Sequence, residues 1–262
     1  MALINCDFFA ESLSLSTSMT VIIPQQTRSQ IGMTGSAAGP AGAPVLYLLH
    51  GLSDDHTIWL RRTSIERYVA PLGLAVVMPA VNRSFYADEV HGNAYWTFLS
   101  EELPELVAEF FHVSRRRADT FVAGLSMGGY GAFKWALRQP ERFAAAASLS
   151  GALDLMALAE RDEGGDPLLR NVFGGPPGPG DDLLALLRAA TPGELPALHV
   201  SCGTDDFLYE DNRAFLRAAA DAGVECTVDL RPGEHEWGFW DEEIRTVLDW
   251  LPLSPSQVDA RV

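Results

Sequence analysis

Apolar, β-branched runs of four or five residues, each closed by turn residues, recur along the chain at 20–23, 45–49, 75–78, 120–123, 146–149, 198–202 and 227–230. Short runs without polar alternation suit strands covered on both faces. Between the later runs lie segments of helical periodicity at 97–111, 128–138, 212–222 and 241–251, so the chain comes to read strand, helix, strand. That alternation predicts an α/β fold with a mainly parallel central sheet and helices on both faces. Ahead of residue 45 the strand candidates have no helix between them, which predicts an antiparallel hairpin at the sheet edge. Two stretches carry neither period. Residues 27–44, rich in Gly, Ala, Ser and Thr, are expected to form a surface connection. Residues 162–196 contain GGPPGPG and a short helix candidate at 182–189. The wider excursion, 151–196, is expected to be a cap-like insertion roofing a pocket, within one domain spanning 1–262.

Composition narrows the classes. A chain of 262 residues, 47% hydrophobic and 21% charged, has the size and apolar content of one soluble domain with its own core. The balance of 19 basic against 35 acidic residues gives a formal charge of −16, which repels phosphate backbones and anionic headgroups, so neither nucleic acid nor a membrane is an expected partner. Cys6, Cys202 and Cys226 are odd in number and widely spaced; they predict buried reduced thiols rather than a metal or redox site. The opening MALINCDFFAESLSLS has no basic n-region, and Asp7 and Glu11 interrupt its apolar stretch. No apolar run approaches the roughly 20 residues of a bilayer span. A soluble, cytoplasmic protein is expected, with homo-oligomerisation left open.

The candidate chemistry centres on G-x-S-x-G at Gly124, Ser126 and Gly128, directly after a strand run and directly before a helical one. A serine on so tight a strand-to-helix turn needs very small neighbours two residues away on each side, and the following helix points its N-terminal dipole at the hydroxyl. A glycine-rich turn of this kind can also cradle a phosphate. Here the P-loop lysine and the G-x-G-x-x-G spacing are both missing. A serine nucleophile needs a histidine base and an acid that orients it, arriving in the order acid then histidine from loops after later strands. Only His199 and His235 follow Ser126. His199 falls inside a strand run, whereas His235 lies in the turn-rich RPGEHEW after the last one, so His235 is the expected base. The acid is expected after the 198–202 run, where Asp205 and Asp206 compete; Asp206, three residues past Gly203 and followed by Phe207 and Leu208 to pack beneath it, is preferred. Two backbone N–H donors must face the developing oxyanion. Met127 supplies one, and Leu52, after the His50–Gly51 pair, is expected to supply the other, with His50 holding the loop.

These segments resemble the esterase D family of α/β-hydrolases. The resemblance rests on LHGL at 49–52, NRSFY at 82–86, YWTFLSEELP at 95–104, AGLSMGGYGAF at 123–133, CGTDDFLY at 202–209 and GEHEWGFW at 233–240. The acid and histidine segments are most similar to those of bacterial tributyrin-type esterases. The resemblance implies an α/β-hydrolase fold, a triad of Ser126, Asp206 and His235, no cofactor and no metal, and hydrolysis of small acyl esters. S-formylglutathione hydrolases and feruloyl or acetylxylan esterases are the alternatives within it. A formylglutathione hydrolase would carry a cysteine soon after the oxyanion-loop leucine, where this chain has Ser53, Asp54 and Asp55. Transfer of the acyl group to an alcohol, and a binding module without turnover, are the competing readings of the same motifs. Trp59, Tyr86, Tyr95, Trp96, Trp237 and Phe239 fall on or near strand-end loops, where aromatic rings can wall an acyl pocket.

Overall fold

The computed structural model describes residues 1–25, 31, 39–161 and 167–253. Most of the 27–44 connection and residues 162–166 of the excursion lie outside the described residues. The strands are β1 (Ala2–Ala10), β2 (Leu15–Ile23), β3 (Val45–Leu49), β4 (Ala75–Pro79), β5 (Thr120–Leu125), β6 (Ala145–Leu149), β7 (Ala197–Gly203) and β8 (Cys226–Arg231). They form one sheet in the order β1-β2-β4-β3-β5-β6-β7-β8. β1 and β2 make the expected edge hairpin, paired from Ala2–Ile23 to Ala10–Leu15, and β2 lies antiparallel to β4. The strands from β4 across to β8 pair in parallel.

The helices are α1 (Ile58–Arg62), α2 (Ile65–Val69), α3 (Tyr95–Thr97), α4 (Leu103–Phe110), α5 (Met127–Arg138), α6 (Leu155–Arg161), α7 (Leu168–Phe173), α8 (Leu183–Ala189), α9 (Tyr209–Asp221) and α10 (Trp237–Trp250). A π-helical turn, Phe98–Glu102, joins α3 to α4. The two-residue period of the strands divides the core. Val45, Tyr47 and Leu49 pack with Tyr130, Phe133 and Trp135 of α5, while Leu46 and Leu48 pack with Ile244 and Val247 of α10. Both faces of β3 are therefore apolar because both are covered, as its unbroken VLYLL predicts.

This is the α/β-hydrolase arrangement, and it places the ends of β3, β5, β7 and β8 at one edge of the sheet, where the loops that follow can converge. The short helices α1, α2, α6 and α7 escape sequence reading because five to seven residues hold too few turns to display a period. The last helix starts at Trp237, four residues ahead of the predicted 241, because the Glu236 carboxylate accepts the N–H groups of Gly238 and Phe239, each at 3.1 Å.

Candidate active site

Ser126 occupies the turn between β5 and α5 with φ +53° and ψ −118°. A non-glycine residue held in that region stores backbone strain of about 1–3 kcal/mol, which its surroundings must offset. The Ser126 N–H donates to the Leu149 carbonyl at 2.9 Å, and its carbonyl accepts from Tyr130 and Ala152, each at 3.1 Å. The flanking glycines allow the turn. A Cβ on Gly124 would collide with the Gly128 carbonyl, and one on Gly128 would stand 2.5 Å from the Leu49 oxygen and 2.7 Å from that of His50.

The sequence-predicted residues converge on this turn. His235 Nε2 lies 3.1 Å from Ser126 Oγ, and His235 Nδ1 lies 2.8 Å from Asp206 Oδ2. The other carboxylate oxygen accepts the Leu208 N–H at 2.8 Å, so Asp206 is held from both sides. With Nδ1–H donating to the carboxylate, the unprotonated Nε2 faces the serine hydroxyl. The Asp205 side chain is exposed and lies 3.3 Å from Thr204 Oγ1. Two glycines bring the acid and histidine loops together. A Cβ on Gly203 would strike the Gly233 carbonyl, and that carbonyl accepts the Asp205 N–H at 3.0 Å.

The loop expected to supply the second oxyanion donor follows β3. Gly51 lies beside the serine: a Cβ there would collide with Leu125 Cδ1 at 2.7 Å and reach van der Waals contact with Ser126 Cβ at 3.7 Å, and Leu52 comes next. Among the described residues, neither the Leu52 nor the Met127 N–H donates to another protein group, so both are free to meet a substrate oxygen. His50 holds this loop, as its position in the sequence suggested. Its Nδ1–H donates to the Gly51 carbonyl at 2.7 Å, and its Nε2 accepts the Val81 N–H at 3.1 Å. Burial lowers its pKa to about 4. A histidine neutral in the fold but protonated near pH 6.5 when unfolded favours unfolding as the pH falls between those values. This group alone removes about 3 kcal/mol of stability on going from above pH 6.5 to pH 4. Urea unfolding at pH 7, 5.5 and 4.5 checks it. His50→Gln, which retains a donor and an acceptor, should flatten the slope, and an unchanged slope would assign it to other groups.

Most of the aromatic rings expected to wall a pocket lie in the core instead. Trp59, Tyr86, Trp96 and Phe239 are buried among other core residues, since rings on short loops over an apolar sheet gain more by joining the core than by lining water, whereas Tyr95, though largely buried, borders the cleft beside Leu52 as expected. Trp237 is half-buried and packs edge-on against Trp59 and Trp240. The rings that touch the candidate base are Trp240, edge-on at 4.8 Å, and Phe207, at 4.5 Å. Phe207 is 69% exposed. It lies over the imidazole rather than beneath Asp206, and Leu208 alone takes the buried place. Nothing in the sequence marks Phe207 for this position, because alternate residues of the 206–208 turn face opposite ways. A cleft of about 520 Å³ opens beside Leu52, bordered by Asp54, Asn82, Arg83, Glu89, Asn93 and Tyr95.

The family model described as "Putative esterase" matches residues 35–251. The chain belongs to this esterase family. It is 28% identical over 263 residues to an acetyl esterase of Caldicellulosiruptor saccharolyticus, covering 96% of this chain and 98% of that protein. Among solved structures it is similar to FphF, a fluorophosphonate-binding serine hydrolase of Staphylococcus aureus, with a TM-score of 0.84, 32% identity and coverage of 97% of this chain and 99% of the other. It is likewise similar to the S-formylglutathione hydrolase FrmB of S. aureus, with a TM-score of 0.81, 33% identity and coverage of 96% and 98%. The esterase is a serine-dependent carboxylic ester hydrolase of the α/β-hydrolase fold. Among its described residues, no helix is long and apolar enough to cross a membrane, and the three cysteines are free thiols.

Proposed function

We propose that the esterase hydrolyses short-chain acyl esters through an acyl-enzyme on Ser126. The observation that carries the reading is the unbroken line of hydrogen-bonding contacts from Ser126 Oγ through the His235 imidazole to Asp206. His235 Nε2 takes the hydroxyl proton as Oγ attacks the ester carbonyl, and the negative charge moves to the carbonyl oxygen, facing the Leu52 and Met127 N–H groups. Collapse of this intermediate breaks the bond to the alcohol, which leaves with the proton from His235. Water then enters, gives a proton to His235 and attacks the acyl carbon. Its collapse frees the carboxylic acid and returns the proton to Ser126. Asp206 keeps the imidazole in the tautomer this sequence needs and stabilises the imidazolium that forms twice per cycle.

The cleft beside Leu52 supports small, polar ester substrates, because Asp54, Asn82, Arg83, Glu89 and Asn93 border it and a long alkyl chain would strip water from those groups. The 151–196 excursion acts in this reading as its roof. Leu168 of α7 borders the same cleft, and Val90 N–H donates to the Val172 carbonyl at 2.8 Å. Cytoplasmic residence and the use of water as acceptor belong to the same proposal. A panel of p-nitrophenyl esters from acetate to palmitate is expected to give the highest kcat/KM at acetate or butyrate, with at least a roughly tenfold fall by octanoate. A maximum at palmitate would contradict the short-chain assignment.

S-formylglutathione is the second substrate to include, favoured by the likeness to FrmB and by the polar cleft, although Ser53, Asp54 and Asp55 rather than a cysteine directly follow Leu52. Methyl ferulate tests the feruloyl alternative beside it.

A further inference from the structure

The helix that follows the serine carries a buried cation with no part in the proton relay. Lys134 of α5 has a side chain 0% exposed. Its ammonium donates to the Tyr86 carbonyl at 2.8 Å and pairs with Asp181 Oδ1 at 2.6 Å. It also lies 5.0 Å from the centre of the Trp96 ring and 5.8 Å from that of Tyr130. Burying an ammonium costs several kcal/mol unless partners replace its water, and here the Tyr86 carbonyl and the Asp181 carboxylate do so.

The ammonium holds Tyr86. The loop around Tyr86 is in a backbone conformation it would not keep alone, since Asn82, Phe85 and Tyr86 all have φ near +50°, a region sparsely used by residues with side chains. Tyr86 is fixed at three points. Its carbonyl meets Lys134, its ring lies so close to Gly131 that a Cβ there would collide with it, and its hydroxyl donates to the His50 carbonyl at 2.9 Å. His50 is followed by Gly51 and Leu52, the loop placed at the oxyanion. At the other end, Asp181 precedes α8 in the excursion, and its carbonyl accepts the Tyr130 hydroxyl at 2.8 Å.

We propose that Lys134 is a positioning residue, which through Tyr86 sets the His50–Leu52 loop at the distance the oxyanion requires and ties that setting to Asp181 of the 151–196 excursion. The proposal rests on the oxyanion role given above to Leu52. An effect on oxyanion geometry appears in kcat, whereas loss of ground-state binding appears in KM. Displacements of about 1 Å at such a site cost up to about 100-fold. Burial lowers the Lys134 pKa to about 8, with Asp181 opposing the shift, so the ammonium is largely present at neutral pH.

Lys134→Met keeps the length of the side chain without its charge. At pH 7 it is expected to lower kcat for p-nitrophenyl acetate by about 10- to 100-fold with KM within about twofold. Tyr86→Phe removes only the hydroxyl that reaches His50 and should also lower kcat. In that background Lys134→Met should cost much less than it does alone, because the two act along one line. Asp181→Asn alters a carboxylate that is 26% exposed, so it decides the matter even where Lys134→Met fails to fold. A severalfold fall in kcat at unchanged KM supports the proposal. A kcat within about twofold of wild type in folded Lys134→Met or in Asp181→Asn, or losses from Lys134→Met and Tyr86→Phe that simply multiply, overturns it. Wild-type turnover that disappears in Ser126→Ala shows in the same assays that the serine reading holds independently.

Discussion

Ser126→Ala is expected to remain folded and to lose kcat on p-nitrophenyl acetate by about 10⁶-fold. The relay has no substitute nucleophile at its end. His235 Nε2 would face a methyl group, and the remaining contribution would be that of the oxyanion donors and substrate binding. The same assay separates the two aspartates. Asp206→Asn leaves the shape of the site intact but presents an amide to His235 Nδ1, which favours the wrong tautomer and costs about 10⁴-fold in kcat. Asp205→Asn alters an exposed carboxylate that meets the Thr204 hydroxyl, and it should stay within about twofold of wild type. Loss of turnover in Asp205→Asn with retention in Asp206→Asn would transfer the orienting role to Asp205.

The second large effect falls on stability. Gly128→Ala adds a methyl group 2.5 Å from the Leu49 carbonyl oxygen and 2.7 Å from that of His50. Both obstacles are backbone, at the end of β3 and the start of the loop that leads to Leu52, so neither can move aside as a side-chain tip would. Overpacking of this kind costs about 3 kcal/mol, which for a chain of this size lowers the thermal midpoint by about 6–12 °C. Because relief of the clash displaces the loop bearing Leu52, kcat should fall as well. Gly193→Ala is the control, since a Cβ there meets nothing within 4 Å, and its midpoint should stay within about 2 °C. A Gly128→Ala midpoint equal to wild type would show that β3 and α5 lie farther apart.

Much of this site was legible in the sequence because its signals are local. The glycines around Ser126 follow from steric limits at one turn, and His235 stands in a turn just past a strand run. The choice of Asp206 over Asp205 rested on spacing from Gly203, and the distances to His235 agree with it. The edge hairpin was readable too, since strands without an intervening helix can pair only with each other or with a neighbour already formed. Other features depend on contacts between remote segments. Lys134 sits in a helical run where a lysine ordinarily marks the solvent face; its burial is set by the Tyr86 carbonyl and Asp181. Glu243 is similar, fully buried on α10 because Arg231 at the end of β8 reaches it at 2.6 Å. Phe207 was expected beneath the acid and lies over the base. Its side of the turn is determined by which aspartate turns inward, and that depends on the close approach of Gly203 to Gly233.

The most direct test is covalent. Incubation of the folded esterase with a fluorophosphonate, followed by proteolysis and mass spectrometry, is expected to find one phosphonyl group per chain, on Ser126, with labelling lost in His235→Ala. Phosphonylation of a different residue, or labelling of Ser126→Ala at the wild-type rate, would contradict the account.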